Sequence, residues 1–506
     1  MLRSEVGPWG GWLPPLLLVV LVVGFYSATT SNPLVSDDYL LVKTVSEGPL
    51  AAIRYQGGYH YIPAGMSLLW LESSLWGTDP AGYHWVGILL LAVTGLLVVA
   101  LGRRLGLGNP ASWAAAALLT SNGVIHEIPL WACAVLHSAS TCLYLCALLA
   151  FLAYLRNGRW RYAVGSTLLY VLALLTHEQS LSLPIAAVLL SAAERQPSSG
   201  ELWPARWRRA KAPLVAMFVA GAGYVMVKLA LSDGTDLTPG LGGGLVSRAG
   251  ASALHLLRVL LPNLSWEAAW QVLDPPLDGW PKHLVRVAVV AAGAAIFASL
   301  PRLGKLLALW AAAHVGMMVF AIGMASRHYL LPLVPASLLV GLVLERIADR
   351  LVPASVGRQP GWKRALLVAA GVAPLIAIGV ATASSRKAVW AEAGHVAERL
   401  LADAARATAA RPGKPALFVI DLPDGLDLGE SEPAYIFRFG FDVALSWRLS
   451  GEPLSIVHLH SEKPPSRTEP FGKATTESEL ASLTADPQRL VLRYEPEQRR
   501  LIELRP

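Results

Sequence analysis

About eleven apolar stretches, most of them 15 to 20 residues long, constrain this chain more than any other feature of its sequence. A helix of about 20 apolar residues matches the thickness of the hydrocarbon core of a bilayer. The stretches occupy 13–30, 83–101, 111–128, 136–155, 161–177, 180–194, 212–231, 284–300, 305–325, 329–347 and 364–382. Only 15% of the 506 residues are charged, against about 25% in soluble domains. The expected fold class is therefore a polytopic α-helical membrane protein.

The distribution of basic residues predicts the orientation. If the N-terminus is cytoplasmic, the positive-inside rule accounts for the basic clusters in alternate connections: Arg103–Arg104, Arg156 with Arg159 and Arg161, Arg206 with Arg208, Arg209 and Lys211, Arg302 with Lys305, and Arg358 with Lys363 and Arg364. The opposite connections hold Asp37–Asp38, His126–Glu127, His177–Glu178, Asp233 with Asp236, and Arg327–His328. The net charge of +7 is thus explained by membrane orientation, and nucleic acid is not an expected partner.

Two domains are expected. Residues 1–385 form the transmembrane domain, with long outer loops at 31–82 and 232–283, and an amphipathic interfacial helix is predicted around 248–258. Residues 386–506 have the composition of a soluble domain on the same outer side. Helices near 388–409 and 433–449, with strands near 416–420, 454–460 and 489–503, predict a small α/β unit.

Asp37 and Asp38 are the first candidate site residues. They follow the first span directly. A carboxylate can accept the proton of a hydroxyl that attacks the anomeric carbon of a sugar, and neighbouring carboxylates on an extended backbone point different ways. The alternative is a solvated pair at the membrane surface with no chemical role.

Two His–Glu pairs, His126–Glu127 and His177–Glu178, each end a span on the same predicted side. Ionisable residues at membrane depth are costly unless they pair or face a polar cavity, so the pairs suggest a polar site below the outer surface. Ordinary interfacial polarity is the competing explanation. The spacing matches no HExxH-type zinc motif, and no metal or other cofactor is predicted.

Arg327 follows another apolar span on that side. The planar guanidinium of an arginine binds phosphate through two hydrogen bonds, so Arg327 is a candidate for a lipid phosphate. It could instead be an arginine that extends its charged end to the interface. Carboxylates, a phosphate-binding cation and a lipid-accessible cavity on one side are what a lipid-linked sugar donor requires.

Several ordered motifs between about residues 10 and 390 resemble the GT-C superfamily of glycosyltransferases, most closely the branch of protein O-mannosyltransferases that includes transmembrane members with TPR repeats. They are Tyr59-His60-Tyr61-Ile62-Pro63, the run from Leu75 to His84, Glu127 to Trp131, Leu174 to Glu178 with Leu183-Pro184, and Ser326 to Leu330 with Pro332. The chain departs from that branch at Ile62, Asn122 and Ile125, and it has no TPR array.

The resemblance implies an inverting transfer of mannose, or a similar hexose or pentose, from a polyprenyl-phosphate donor to a protein, glycan or lipid acceptor. Asp37 or Asp38 would be the catalytic base and Arg327 would bind the donor phosphate, with Tyr61, His126, Glu127, His177 and Glu178 lining the site. The short cytoplasmic loops favour a bacterial inner membrane. A transporter or flippase of lipid-linked saccharides and an inactive scaffold are the alternatives.

Overall fold

The computed structural model describes residues 13–55, 60–193, 203–231, 245–261, 266–277, 280–321, 324–352, 361–411, 415–428, 433–449, 454–461 and 473–505. Most of them are helical. The helices are Leu13–Tyr26 (α1), Asp37–Ser46 (α2), Pro49–Arg54 (α3), Pro63–Trp76 (α4), Pro80–Leu105 (α5), Asn109–Thr120 (α6), Glu127–Leu130 (α7), Val135–Asn157 (α8), Trp160–Thr176 (α9), Leu183–Ala193 (α10), Trp203–Leu231 (α11), Leu245–Leu260 (α12), Trp266–Leu273 (α13), Trp280–Ser299 (α14), Arg302–Ala321 (α15), Leu330–Leu351 (α16), Gly361–Ala409 (α17), Phe441–Arg448 (α18) and Glu477–Thr484 (α19).

The protein is an integral, multi-pass membrane protein, as its composition predicts. Seven of the described helical segments are long and apolar enough to cross a bilayer, namely those that contain α1, α5, α8, α11, α14, α16 and α17. Each remaining predicted span also coincides with a helix, α6, α9, α10 or α15. The predicted span 111–128 extends too far, because α6 ends at Thr120 and short helical turns follow it.

Local sequence explains several helix boundaries. Proline occupies the first turn of α3, α4 and α5, where its missing N–H costs no hydrogen bond. Gly106 and Gly158 end α5 and α8 with φ of 90° and 65°, a left-handed conformation that glycine adopts without a steric penalty. These abrupt ends let α6 and α9 start after short connections.

The C-terminal region is the expected small α/β unit. Its five-stranded mixed sheet contains β1 (Ala416–Ile420), β4 (Ile456–His460), β5 (Lys473–Ala474), β6 (Arg489–Glu495) and β7 (Arg500–Glu503), in the order β5-β4-β1-β6-β7. Strand β1 is parallel to β4 and β6, and β7 is antiparallel to β6. A separate antiparallel pair joins β2 (Gly425–Leu426) and β3 (Ala434–Tyr435).

Two details of this unit differ from expectation. The predicted helix at 433–449 is shorter, because residues 434–435 form a strand and Gly440 (φ 77°) directly precedes α18. The predicted boundary at 385/386 lies inside the continuous 49-residue helix α17. The membrane-embedded part of α17 therefore continues directly into the part that packs on α18 and the strands of the sheet.

The first predicted outer loop, 31–82, contains α2, α3 and α4, which pack on one another. In the second predicted outer loop, residues 232–244 lie outside the described residues. The predicted amphipathic helix is α12, and its polar residues Arg248, His255 and Arg258 are buried against the protein. Two of these residues form hydrogen bonds with the hydroxyl of Tyr329: His255 Nδ1 lies 2.5 Å from it and Arg258 Nη1 lies 3.3 Å from it.

Candidate active site

Asp38 is fixed in the interior by backbone hydrogen bonds. It is fully buried at the start of α2, where Oδ2 accepts the N–H of Val35 at 3.0 Å and Oδ1 accepts the N–H of Cys133 at 2.8 Å. Burial raises the pKa of Asp38 to about 7, although these hydrogen bonds favour the charged form. Both of its oxygens therefore hold the start of α2 against the segment before α8.

Asp37 has a different environment. It is partly exposed, and Ser36 Oγ donates to its Oδ1 at 3.1 Å. Burial raises the pKa of Asp37, while Arg327, the hydrogen bond from Ser36, Arg438 and His60 act in the opposite direction. Asp37 thus lies within electrostatic range of several basic side chains. Ser36 turns the chain here with φ of 48°, an uncommon conformation for a residue with a side chain.

Arg327 is held by Glu127. Glu127 is fully buried, and its Oε2 accepts Nη1 of Arg327 at 2.9 Å and the N–H of Arg327 at 3.1 Å. The guanidinium carbon lies 5.0 Å from the ring centroid of Trp131, and Arg327 also hydrogen-bonds to Tyr435 of the α/β unit. One fifth of the Arg327 side chain remains exposed, so a ligand can still reach it.

Glu178 is the centre of a second ion-paired group. His60 Nδ1 lies 2.6 Å and Lys228 Nζ lies 3.4 Å from its Oε1, and His177 Nδ1 lies 3.9 Å from its Oε2. These contacts join the segment before α4, the connection between α9 and α10, and the C-terminal end of α11. An isolated buried carboxylate would be strongly disfavoured, and the contacts with His60 and Lys228 explain why Glu178 is tolerated.

The remaining two predicted site residues, His126 and Tyr61, contact α17 and α11. His126 is buried, its Nδ1 lies 3.3 Å from Nη1 of Arg386, and its ring faces Trp390 of α17. The backbone oxygen of Tyr61 accepts the hydroxyl of Tyr224 at 2.9 Å. His126 therefore supports the wall formed by α17, and Tyr61 links the first loop to α11.

Three histidines connect the Arg327–Glu127 pair to the group around Glu178. His177 precedes Glu178, His328 follows Arg327, and His137 lies between these histidines with ring centroids 4.0 Å from His177 and 5.1 Å from His328. By proximity alone, two groups of described residues could hold a metal ion: His137 with His177 and His328, and His60 with His177 and Glu178. The three histidines consequently connect the group around Glu178 to the Arg327–Glu127 pair.

Sequence reasoning did not select His60, His137, Lys228, His328 or Tyr435 as site residues. A signal existed for His137 and Lys228, since each is an ionisable residue inside a predicted apolar span. His60 and His328 each adjoin a selected residue. Tyr435 offered no such signal, because its contact with Arg327 arises only when the C-terminal unit folds back onto the helices.

No protein-family model and no curated protein matches this sequence. Among solved structures, the chain is similar to ArnT from Cupriavidus metallidurans, with 15% identity and a TM-score of 0.49, over 96% of this chain and 93% of that chain in the apo state. The same values of identity and TM-score hold for ArnT bound to undecaprenyl phosphate, over 97% and 94% of the two chains.

A third similar structure is the archaeal oligosaccharyltransferase AglB from Archaeoglobus fulgidus, in complex with an inhibitory peptide and a dolichol-phosphate. It has 13% identity and a TM-score of 0.42, over 81% of this chain and 62% of that chain. The chemical interpretation below is therefore built on the residues of this chain.

Proposed function

We propose that this protein is a membrane glycosyltransferase that moves a sugar from a polyprenyl-phosphate donor to an acceptor outside the cytoplasm, with inversion at the anomeric carbon. The observation that carries the proposal is that a partly exposed carboxylate, Asp37, lies near enough to the guanidinium of Arg327 for this charge to lower its pKa, while Glu127 fixes Arg327 in place. A base beside a phosphate-binding cation is the minimum that this reaction requires.

Asp37 is the catalytic base in this mechanism. Its carboxylate is partly exposed and is not consumed by backbone hydrogen bonds, whereas both oxygens of Asp38 are. The elevated pKa makes Asp37 a better proton acceptor than an ordinary aspartate. It removes the proton of the acceptor hydroxyl as the oxygen attacks the anomeric carbon, and Asp38 positions the loop that carries it.

Arg327 binds the donor phosphate. As the bond between the anomeric carbon and the phosphate oxygen breaks, negative charge grows on the leaving polyprenyl phosphate. A cation held rigidly in a site of low dielectric stabilises this charge without reorganising. Glu127 and Trp131 fix the guanidinium, and Lys228 adds a second positive charge within the same cluster.

The α/β unit contributes to the acceptor side. Tyr435 contacts Arg327, Arg438 is close enough to Asp37 to affect its pKa, and the backbone N–H of Ser36 donates to Ile436 at 3.0 Å. An acceptor that approaches Asp37 therefore passes this unit. The transferred sugar is mannose or a similar hexose or pentose, and the acceptor is a protein, glycan or lipid. The charge distribution of the connections favours an active site on the outer face of the membrane, and the short predicted cytoplasmic loops favour a bacterial inner membrane.

The test uses the full chain reconstituted in phospholipid vesicles with a panel of labelled polyprenyl-phosphate hexoses and pentoses. We expect at least one donor to release polyprenyl phosphate, with Asp37→Asn retaining donor binding but losing turnover by 100-fold or more. Bilayer crossing of an intact donor, without cleavage of the sugar–phosphate bond, would instead identify a flippase. If no donor of the panel reacts or crosses the bilayer, the protein would be an inactive scaffold.

A further inference from the structure

The group formed by His137, His177 and His328 is not used by the mechanism above. All three side chains are buried, and one ring nitrogen of each lies within 4.8 Å of those of the other two. Among the described residues, none forms a hydrogen bond with Nε2 of any of these rings, because their contacts are made at Nδ1 or by backbone atoms. Three ring nitrogens without partners, on side chains that are otherwise buried, call for a ligand.

The contacts at Nδ1 determine which nitrogen carries the proton in two of the rings. His328 Nδ1 accepts the backbone N–H of Ala325 at 2.9 Å, and His177 Nδ1 accepts the backbone N–H of Gln179 at 3.3 Å. An imidazole nitrogen that accepts a hydrogen bond is unprotonated, so in the neutral ring the proton resides on Nε2. His177 and His328 therefore present N–H donors.

His137 has the opposite tautomer. The amide group of Gln179 donates through Nε2 to the backbone oxygen of His137 at 3.0 Å and to Thr141 Oγ1 at 3.3 Å, which orients its Oε1 as the acceptor of the third contact. That oxygen lies 3.4 Å from Nδ1 of His137, which must then carry the proton. Nε2 of His137 is consequently an acceptor.

This pattern of two donors and one acceptor discriminates between ligands. A metal ion requires a lone pair from every ligand, and only His137 offers one at Nε2. A phosphate oxygen accepts hydrogen bonds but cannot donate one to His137. A neutral hydroxyl matches all three rings, because its oxygen accepts two hydrogen bonds and its O–H donates one. Nitrogens about 2.9 Å from such an oxygen lie about 4.7 Å apart. One ring nitrogen of each histidine lies within 4.8 Å of those of the other two, so the group has the size to surround one oxygen.

We propose that His137, His177 and His328 bind one hydroxyl of the transferred sugar and thereby select the sugar of the donor; this rests on the proposed glycosyltransferase function. The position is suitable, because His328 adjoins the phosphate-binding Arg327 and His177 adjoins Glu178. A site built around buried hydrogen-bonding groups rejects an analogue that lacks the matching hydroxyl, since those groups then lose their partner.

The test measures kcat/KM for the best donor of the panel and for each of its monodeoxy analogues. We expect wild type to use one analogue at least 100-fold less well than the parent sugar. His177→Asn and His328→Asn should reduce that ratio at least tenfold. Asparagine is chosen because its Oδ1 can replace Nδ1 as the acceptor of the backbone N–H, while Nε2 is removed. His314→Asn is the matched control: this buried histidine contacts Ser182 Oγ through Nδ1 at 2.8 Å, and we expect it to keep the wild-type ratio.

Three results overturn the inference while leaving the transferase intact. The wild type could use every monodeoxy analogue within about threefold of the parent, which would mean that the rings hold only water; this outcome does not depend on the folding of any variant. The ratio of kcat/KM between the parent donor and that analogue could be unchanged in both folded asparagine variants. The purified chain could also retain one equivalent of a transition metal that His328→Asn loses. If wild type transfers no sugar from any donor, the proposed function fails and the inference falls with it.

Discussion

Oε2 of Glu127 accepts hydrogen bonds from both Nη1 and the backbone N–H of Arg327, at 2.9 and 3.1 Å, although 200 residues separate the two in sequence. The pair joins the short helix α7 to the turn that precedes α16. It fixes the direction of the Arg327 side chain and the path of the main chain at once. The cation that we assign to the donor phosphate is therefore held in place before a substrate arrives.

Removal of this carboxylate should destabilise the fold. Glu127→Gln leaves the mostly buried guanidinium of Arg327 without its counter-ion, and we expect the free energy of unfolding in mixed micelles to fall by about 3–5 kcal/mol. Glu398→Gln is the control, because Glu398 forms a largely exposed pair with Arg448, and its loss should cost at most about 1 kcal/mol. Equal losses in the two variants would contradict the structural role of the Glu127–Arg327 pair.

The close contact between α4 and α9 predicts a second effect. A Cβ at Gly65 would lie 2.6 Å from the backbone oxygen of Thr176, the residue before His177. Gly65→Ala should therefore displace the His177–Glu178 segment, lowering stability by about 1–3 kcal/mol and turnover at least tenfold. Gly165→Ala on α9 meets no atom within 4 Å and should preserve turnover. Thermal unfolding and transfer assays on both variants measure these two effects. A fully active Gly65→Ala protein would contradict this packing.

Glu72 predicts a pH dependence of stability. It lies on α4, only 1% exposed, and within the described part of the chain neither carboxylate oxygen has a hydrogen-bond partner. Burial, with a smaller contribution from the charge of Asp38, raises its pKa to about 8. A raised folded-state pKa stabilises the protein at low pH, and this stability is lost as the pH rises through about 8.

The wild type should accordingly melt several degrees lower at pH 9.5 than at pH 7. Glu72→Gln keeps the shape of the side chain and cannot ionise, so its melting temperature should change less over the same range. The difference between the two proteins isolates Glu72 from every other group that titrates in this interval. A wild-type loss that Glu72→Gln shares in full would assign the effect elsewhere.

Turnover should depend on pH through Asp37. A general base must be deprotonated, so the rate falls as the pH falls through its pKa, which burial raises above the ordinary value. The nearby charge of Arg438 lowers this pKa, so Arg438→Gln should move the acid limb of the kcat profile to higher pH. Arg399→Gln, which removes a partly exposed partner of Glu392, should leave the limb in place. An acid limb that Arg438→Gln does not move would exclude Asp37 as the titrating base.

Hydropathy predicted the helices because the bilayer selects apolar stretches of a minimum length, and each predicted span coincides with a helix. The strands of the C-terminal unit were predictable for a related reason, since Ala416–Ile420 is an apolar run that ends at a polar residue. The helix expected at 433–449 was wrong in its first half, because pairing of β2 with β3 requires a strand there.

The site was only partly predictable. The sequence pattern identified pairs such as Asp37–Asp38. The different environments of the two carboxylates depend on the unusual backbone at Ser36 and on the N–H of Cys133, which is distant in sequence, and no local pattern encodes either. The three-histidine group was missed for the same reason. His177 was selected only as part of its pair with Glu178, and the three histidines lie at different helix ends, so only the fold brings them together.

The most direct test of the account compares Asp37→Asn with Asp38→Asn at a temperature at which both are folded. We predict that Asp37→Asn melts near the wild-type temperature and binds donor, but transfers sugar at least 100-fold more slowly. Asp38→Asn should melt lower, because its amide group can accept only one of the two backbone N–H groups, and its folded fraction should retain turnover within about tenfold of wild type. Near-normal turnover in Asp37→Asn, or a comparable loss in folded Asp38→Asn alone, would contradict the assignment of Asp37 as the base.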